Sequence, residues 1–371
     1  MILRNGTLLV VGNGFDLQCQ LNSEYRDFFA WLRKNGIRAN GNLWSVHFLN
    51  TTPEGQGWVN IEAELHSVLT GRVSERGLFW EWITDAQDFW RNPYGYAISK
   101  ENAVAHYISG HIKNRNTEFP SYWFLDELIK FEYLFCEFLS EQVDSNANYL
   151  SNAKKLTSML LGDDDEKASV ISFNYTNPFI DNDNGEYIDE IGSVANVHGT
   201  YKDNNIIFGV DAKGVGLSDA RIFTKTHRKM LQPNSESILP NTVDKIKFYG
   251  HSLGDADYSY FHSIFDYYNL YGGGKLVDYR NFETHVMLQF YFTEFCESRK
   301  AKIKRDAADS VYKLITAYGN SFENEDKGKN LLHKLLLENR IKIEFLPDIR
   351  NTGLDHEEIA KLQAELNLVY S

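Results

Sequence analysis

The 371-residue chain is poor in the residues and motifs that build metal and disulfide sites. It has only three cysteines (Cys19, Cys136 and Cys296), which lie far apart and form no CxxC pair. This number and spacing argue against a zinc ribbon, and the odd count predicts reduced thiols. There is also no HExxH motif. A metal held by His251 with His198, His227 or His262 stays an alternative, but these histidines are not at metal-motif spacing, so we expect no metal.

Long apolar runs and excess positive charge are also missing. No apolar stretch approaches the about 20 residues of a membrane helix, and the run that ends at Val11 is too short for the core of a signal peptide. We therefore expect a cytoplasmic protein with no membrane partner. The formal net charge of −13 argues against nucleic acid as a partner. The basic segment 299–305 leaves an RNA-directed toxin open, although such a segment is typical of a solvated helix face.

The composition and the hydrophobic pattern predict an α/β fold. Hydrophobic residues make up 43% of the chain and aromatic residues 14%, which is enough for a large core. Short, branched apolar runs predict buried strands at 7–11, 169–173, 194–197, 205–208, 245–249 and 341–346. Helical spacing dominates between the first strand and the second. The fold predicted is a Rossmann-like parallel sheet flanked by helices, with a largely helical insertion.

This pattern also predicts four segments. Residues 1–41 hold the first strand and helix, and residues 42–162 form the helical insertion. Residues 163–270 complete the α/β domain, and residues 271–371 form a C-terminal α/β extension.

Four of the predicted strands end in small or polar residues. The segments that follow them are 12–16 (Gly-Asn-Gly-Phe-Asp), 174–177 (Asn-Tyr-Thr-Asn), 198–199 (His-Gly) and 250–255 (Gly-His-Ser-Leu-Gly-Asp). In an open α/β sheet, the carboxyl ends of the strands line one crevice, where ligands bind. The residue types suit a dinucleotide: glycines for the phosphates, a carboxylate for a ribose, and an amide and an imidazole for chemistry.

Each of these residues also has a structural interpretation. The dinucleotide fingerprint would place a third glycine where Leu17 stands, so the first turn could be a tight turn with Asp16 as a helix cap. His198 is either a structural hydrogen-bonding residue or a general base. Asn174 follows a buried strand, where an unpaired amide is costly, so a ligand or an ordered water is its expected partner. Glu62, on the apolar face of a predicted helix, either faces the crevice or pairs with an Arg or Lys.

Taken in order, these motifs resemble the bacteriophage abortive infection AbiH family, including Trp58 and Glu62 between the first two strands. The AbiH pattern is in turn similar to SIR2-like NAD-binding domains. The resemblance implies an anti-phage protein that hydrolyses NAD to nicotinamide and ADP-ribose, with Asn174 and His198 as the catalytic pair. It also implies that the following residues contact the nucleotide: Gly12, Asn13, Gly14, Phe15, Asp16, Tyr175, Gly250, Ser252 and Asp255.

The chain departs from the SIR2-like pattern in ways that keep other functions open. Thr176 stands where the group usually has Asp, and Phe15 stands where Ser is common. A non-catalytic sensor of NAD or ADP-ribose is therefore an alternative. The four-cysteine zinc module of sirtuin deacetylases is missing, which argues against deacetylation. The resemblance also implies that activity awaits homo-oligomerisation or a phage-derived trigger.

Overall fold

The structure is a computed structural model. It describes residues 6–36, 41–52, 60–70, 82, 85–87, 91, 103–111, 121–162, 167–180, 186–211, 219–232, 238–241, 243–272, 285–293 and 300–351. Trp58, which is part of the family resemblance, lies outside these residues.

The described helices are numbered here in chain order. They are α1 (Gly14–Gln18), α2 (Tyr25–Lys34), α3 (Leu43–Thr51), α4 (Ile61–Thr70), α5 (Ala103–His111), α6 (Ser121–Ser145), α7 (Tyr149–Leu161), α8 (Lys225–Met230), α9 (Tyr258–Tyr267), α10 (Lys300–Gly319), α11 (Glu325–Lys329) and α12 (Leu331–Leu337). Short 3-10 turns cover Asp219–Phe223, Asp255–Asp257 and Ile349–Asn351. None of the described helices has the length and apolar character needed to span a membrane.

Six strands form one parallel sheet. They are β1 (Gly6–Val11), β2 (Ala168–Ser172), β3 (Ile191–Asn196), β4 (Val243–Tyr249), β5 (Met287–Thr293) and β6 (Ile341–Leu346). Their order across the sheet is β3-β2-β1-β4-β5-β6, and every neighbouring pair is parallel. This is the doubly wound order of dinucleotide-binding folds, in which strand order reverses between the first and fourth strands. The predicted fold class is confirmed.

The register aligns the carboxyl ends of the central strands. Val11 lies beside Ser172 of β2 on one side and beside Tyr249 of β4 on the other, and Ser172 lies beside Asn196. The turns that follow β1, β2 and β4 therefore begin at one edge of the sheet, where open α/β sheets bind ligands.

The sheet belongs to the first of two compact units, formed by residues 1–22, 143–197 and 234–371. Alternate side chains of its strands enter two apolar clusters, one on each face. One face packs on helices including α9 and α10, through residues such as Leu8, Val10, Phe248 and Leu314. The other face packs on α1 and α7. Because both faces are covered, the central strand β1 is apolar on both sides, as in other parallel sheets.

The second unit is formed by residues 23–142 and 198–233. Its described regular elements are helical, and aromatic rings fill its interior, with Phe28 within 5.5 Å (ring centroids) of Phe131, Phe135 and Phe138. A buried ion pair joins Arg228 to Glu132, which also accepts the Phe208 N–H. Burial of two charges is tolerated because each has its partner.

One predicted strand is wrong. Residues 205–208 have no regular structure, although Ile206, Ile207 and Phe208 are buried. The Ile207 N–H donates to the carbonyl of His198 at 2.9 Å, outside any strand. The segment is apolar because it is buried, and burial alone does not make a strand.

The predicted segment boundaries at residues 42, 163 and 271 stay a prediction. Strands β5 and β6, from the predicted C-terminal extension, lie in the same sheet as β1.

Candidate functional site

Three glycines allow the turns after β1 and β4 to pack backbone against backbone. A Cβ on Gly12 would lie 2.7 Å from the Cα of His251, and one on Gly14 would lie 2.7 Å from the Cα of Gly250. Gly250 has a φ of +70°, and a Cβ there would lie 2.4 Å from the Phe15 nitrogen. Side chains at these positions would overlap with backbone atoms, so the contact between the two turns requires glycine.

The same contact uses several backbone donors of the first turn. The Gly12 N–H donates to the Tyr249 carbonyl at 3.0 Å, and the Gly14 N–H donates to the Gly250 carbonyl at 2.7 Å. The Phe15 N–H donates to the Gly12 carbonyl at 2.9 Å. A phosphate at this turn would therefore need donors other than these three N–H groups. The predicted contact of Gly12, Gly14 and Gly250 with a nucleotide stays a prediction.

Asp16 is a fully buried carboxylate at this edge of the sheet. The hydroxyl of Tyr149 donates to Oδ1 at 2.8 Å, and the hydroxyl of Thr176 donates to Oδ2 at 2.7 Å. All three side chains are at most 2% exposed. Asp16 therefore accepts hydrogen bonds from two other segments of the chain, and its side chain is not the cap of α1 that the structural interpretation proposed.

Burial raises the pKa of Asp16 to about 6, although the hydroxyls of Thr176 and Tyr149 and the amide of Asn174 oppose this rise. Burial and the Asp16 charge also hold the pKa of Tyr149 well above its ordinary value, so that its hydroxyl keeps the proton that it donates. A carboxylate that titrates close to neutral pH in a buried site is a common feature of functional sites.

Asn174 lies beside this carboxylate and is 2% exposed. Among the described residues, neither its amide oxygen nor its amide nitrogen has a partner in hydrogen-bond geometry. Leaving a buried polar group unsatisfied costs about 1 to 3 kcal/mol. The amide therefore lies close enough to the Asp16 carboxylate to lower its pKa, yet it makes no hydrogen bond of normal geometry with a described residue.

Asn196, at the end of β3, fixes the backbone around Asn174. Its amide donates to the Asn174 carbonyl at 3.0 Å and to the Thr176 carbonyl at 2.7 Å. Sequence reasoning missed Asn196 and Tyr149 as members of this site. The position of Asn196, one residue before the end of the predicted strand 194–197, was a usable signal, whereas Tyr149 is 133 residues from Asp16 and carries none.

The other predicted nucleotide contacts differ in exposure. Phe15 is fully buried, with its ring 5.3 Å from that of Phe179, so that this side chain supports the turn from the core. Asn13, Ser252 and Asp255 are exposed, and Tyr175 is half-buried. Between Ser252 and Asp255, Leu253 has a φ of +53°, which is uncommon for a residue with a side chain.

His198 belongs to the second unit and is 3% exposed. Its Nε2 lies 3.5 Å from the Nζ of Lys225, which in turn lies 2.9 Å from both carboxylate oxygens of Glu62. The expected pairing of Glu62 with a lysine or arginine is thus confirmed. Lys225 itself was missed, because it lies 163 residues from Glu62 and no local pattern links the two.

Within the described residues, no group of three or more His, Cys, Asp or Glu side chains could hold a metal ion. Cys19 and Cys136 are both buried free thiols.

The family comparison covers most of these elements. The model of the family described as Bacteriophage abortive infection AbiH matches residues 8–272, a range that includes Asp16, Asn174, His198 and the turn after β4. The chain belongs to the AbiH family. Comparison with curated proteins and with solved structures found no match. Membership supports a role of this AbiH protein in phage abortive infection.

Proposed function

We propose that this AbiH protein acts in abortive infection by hydrolysing NAD to nicotinamide and ADP-ribose. The observation that carries the proposal is the buried Asn174 amide, which lacks a hydrogen-bond partner among the described residues and lies beside Asp16. Asn174 lies just after β2, at the edge of the sheet formed by the carboxyl ends of the strands, and open α/β folds bind their ligands along this edge. Depletion of NAD would stop an infected cell from supporting phage growth, which fits the family's role.

The chemistry needs a held ribose and a placed water. The bond between nicotinamide and the ribosyl carbon breaks. Nicotinamide carries a positive charge in NAD, so it takes the bonding electrons and leaves as a neutral molecule. A water oxygen bonds to the ribosyl carbon, and its proton passes to His198. The ribosyl centre develops positive charge, as in glycoside hydrolysis. In this scheme the Asn174 amide holds the water or a ribose hydroxyl.

Asp16 supplies the carboxylate that the residue at position 176 lacks. Thr176 occupies the position where the SIR2-like group usually has Asp, yet its hydroxyl donates to Asp16 at 2.7 Å. A carboxylate therefore lies beside Asn174 even though it comes from a different turn. We propose that Asp16 accepts a ribose hydroxyl, and that its negative charge stabilises the positive charge of the transition state.

The test is nicotinamide release from NAD by the purified protein. We expect His198→Ala to reduce release by about 100-fold to 10,000-fold, the range for loss of a general base. Asn174→Ala, which removes a positioning group, should reduce it by on the order of 100-fold. The matched controls are Asn177→Ala, in the same turn, and His106→Ala, on the exposed face of α5; both should keep activity. Undiminished release by Asn174→Ala would contradict the proposal.

The presence of Thr176 in place of Asp also favours a second function, a sensor that binds NAD or ADP-ribose without cleaving it. Calorimetric titration with NAD separates the two. Binding that Asn174→Ala weakens, with no nicotinamide released by the wild type even in phage-infected cell extract, would support the sensor. Absence of both binding and release would exclude a nucleotide site.

A further inference from the structure

Lys225 is a buried lysine that links an acid to a histidine within the second unit. It is 3% exposed, and its Nζ lies 2.9 Å from both carboxylate oxygens of Glu62 and 3.5 Å from Nε2 of His198. A buried ammonium needs hydrogen-bonding partners of opposite charge or with lone pairs. The arrangement provides both.

Backbone hydrogen bonds fix the relative positions of His198 and Lys225. The segment 205–210 joins them: the Ile207 N–H donates to the His198 carbonyl at 2.9 Å, and the Lys225 N–H donates to the Val210 carbonyl at 3.0 Å. Gly209 permits this close approach, since a Cβ there would lie 2.8 Å from the Phe223 carbonyl oxygen. Backbone hydrogen bonds therefore fix the position from which the lysine side chain extends toward the histidine.

The donor set of the lysine decides which ring nitrogen of His198 carries the proton. An ammonium has three donors and no acceptor, so His198 can meet it only with a nitrogen that carries a lone pair. That nitrogen is Nε2, which leaves the ring proton on Nδ1. Glu62 holds the ammonium in place through its two oxygens, and its charge compensates that of the lysine.

We propose that Lys225, held by Glu62, positions His198 and keeps it neutral with its proton-accepting lone pair on Nε2. This inference rests on the proposed function, in which His198 accepts a proton from water. Because Nε2 has one lone pair, the water replaces the lysine N–H at that nitrogen when the proton is transferred, and the ammonium keeps its two contacts with Glu62. Lys225 is then a positioning residue, because it acts through His198. A buried ion pair that serves only stability would leave the tautomer of His198 unchanged when the lysine is replaced.

The test is the tautomer of His198, read from the nitrogen resonances of protein labelled with ¹⁵N-histidine, with His198→Gln to assign its signals. In the wild type we expect a protonated Nδ1 and an unprotonated Nε2. Lys225→Met should shift His198 toward the other tautomer, and Lys225→Arg, which keeps a cationic donor, should retain the wild-type pattern. Lys229→Met, on the same helix, is the control and should change nothing. An unprotonated Nδ1 in the wild type, or an unchanged tautomer in a folded Lys225→Met protein, would overturn the proposal.

Kinetics provide the second readout. A misplaced catalytic group reduces turnover by on the order of 100-fold, so Lys225→Met should lower kcat by that factor with little change in KM, and Lys225→Arg should recover most of it. Equal loss in both folded variants would contradict positioning by a cationic donor. The resonance measurement needs no turnover. An absence of NAD cleavage by the wild type, even in phage-infected cell extract, would therefore refute the proposed function while the tautomer still decides whether Lys225 orients His198.

Discussion

Replacement of Asp16 by Asn should make this AbiH protein more stable and less active. The substitution keeps the shape of the side chain, and an amide can still accept from Tyr149 and meet the Thr176 hydroxyl, which now lie 2.8 Å and 2.7 Å from the two carboxylate oxygens. What the substitution removes is a negative charge that has been taken out of water. The effect should therefore depend on pH.

The sign follows from the direction of the pKa change. Burial raises the pKa of Asp16 from 3.8 to about 6, so the folded protein binds this proton more tightly than the unfolded chain does. The contribution of Asp16 to stability is then greatest below pH 3.8 and falls as the pH rises through about 6. At about 1.4 kcal/mol per pH unit, the ionised side chain costs about 3 kcal/mol at pH 8. Asp16→Asn should recover up to that amount at pH 8 and about half of it at pH 5.

Hydrogen exchange of the β1 amides measures this effect within the compact unit that contains Asp16. A gain of about 3 kcal/mol would slow exchange on the order of 100-fold relative to the wild type at the same pH. If Asp16→Asn destabilises the protein equally at pH 5 and pH 8, the carboxylate is a structural hydrogen-bond acceptor and the argument fails.

Asp348 is the matched control, because its pKa moves in the other direction. Burial raises the pKa of Asp348, but the hydrogen bonds and charge of Arg350 lower it by more. Asp348→Asn should therefore destabilise the protein at neutral pH, the opposite sign to Asp16→Asn. Stabilisation by both substitutions would show that charge removal is favourable in general and that Asp16 is not special.

Two further predictions concern backbone packing and a buried lysine. Gly250→Ala should cost at least about 1 to 2 kcal/mol of folding stability from the positive φ alone, and more from overlap with Phe15. Gly254→Ala, whose Cβ would lie 3.4 Å from its nearest neighbour, should leave stability unchanged. Equal melting temperatures for the two variants would contradict this prediction. Lys247 donates to the last two carbonyls of α7 at 2.9 Å and 3.0 Å. Lys247→Met should therefore destabilise that helix end by about 1 to 3 kcal/mol, whereas Lys245→Met should not. Hydrogen exchange of the α7 amides measures the effect, and unchanged protection in Lys247→Met would contradict the capping role.

The parallel sheet could be predicted because its strands are short apolar runs with clear ends. The predicted bounds of the last strand, 341–346, are those of β6, and β2 and β4 differ by at most two residues at either end. The prediction failed at 205–208, where burial made the segment apolar while its hydrogen bonds go elsewhere. Hydrophobic pattern records burial directly and hydrogen bonding only indirectly.

The site could be predicted only where function or geometry leaves a local mark. Asn174 could be selected as a candidate because it follows a buried strand, and the glycines could be selected because a turn needs them. These glycines were predicted to allow the close approach of a phosphate. In the structure they allow the close approach of the turn after β4 to the first turn. Tyr149 and Lys225 were missed because their partners are distant in sequence, and a single sequence contains no record of such pairs.

The basic segment at 299–305 fits its structural interpretation where it is described. Lys302, Lys304 and Arg305 are exposed on α10, as expected of a solvated helix face. Exposed charges of this kind give little support to an RNA-directed toxin in a protein with a net charge of −13.

The most direct test of the central claim is the cellular NAD level after infection by a phage against which this AbiH protein protects. Infection supplies any trigger that the purified protein lacks. We predict that NAD falls in cells that express the wild type or Asn177→Ala and stays constant in cells that express Asn174→Ala, which also lose protection. Protection by the wild type with constant NAD would contradict the account.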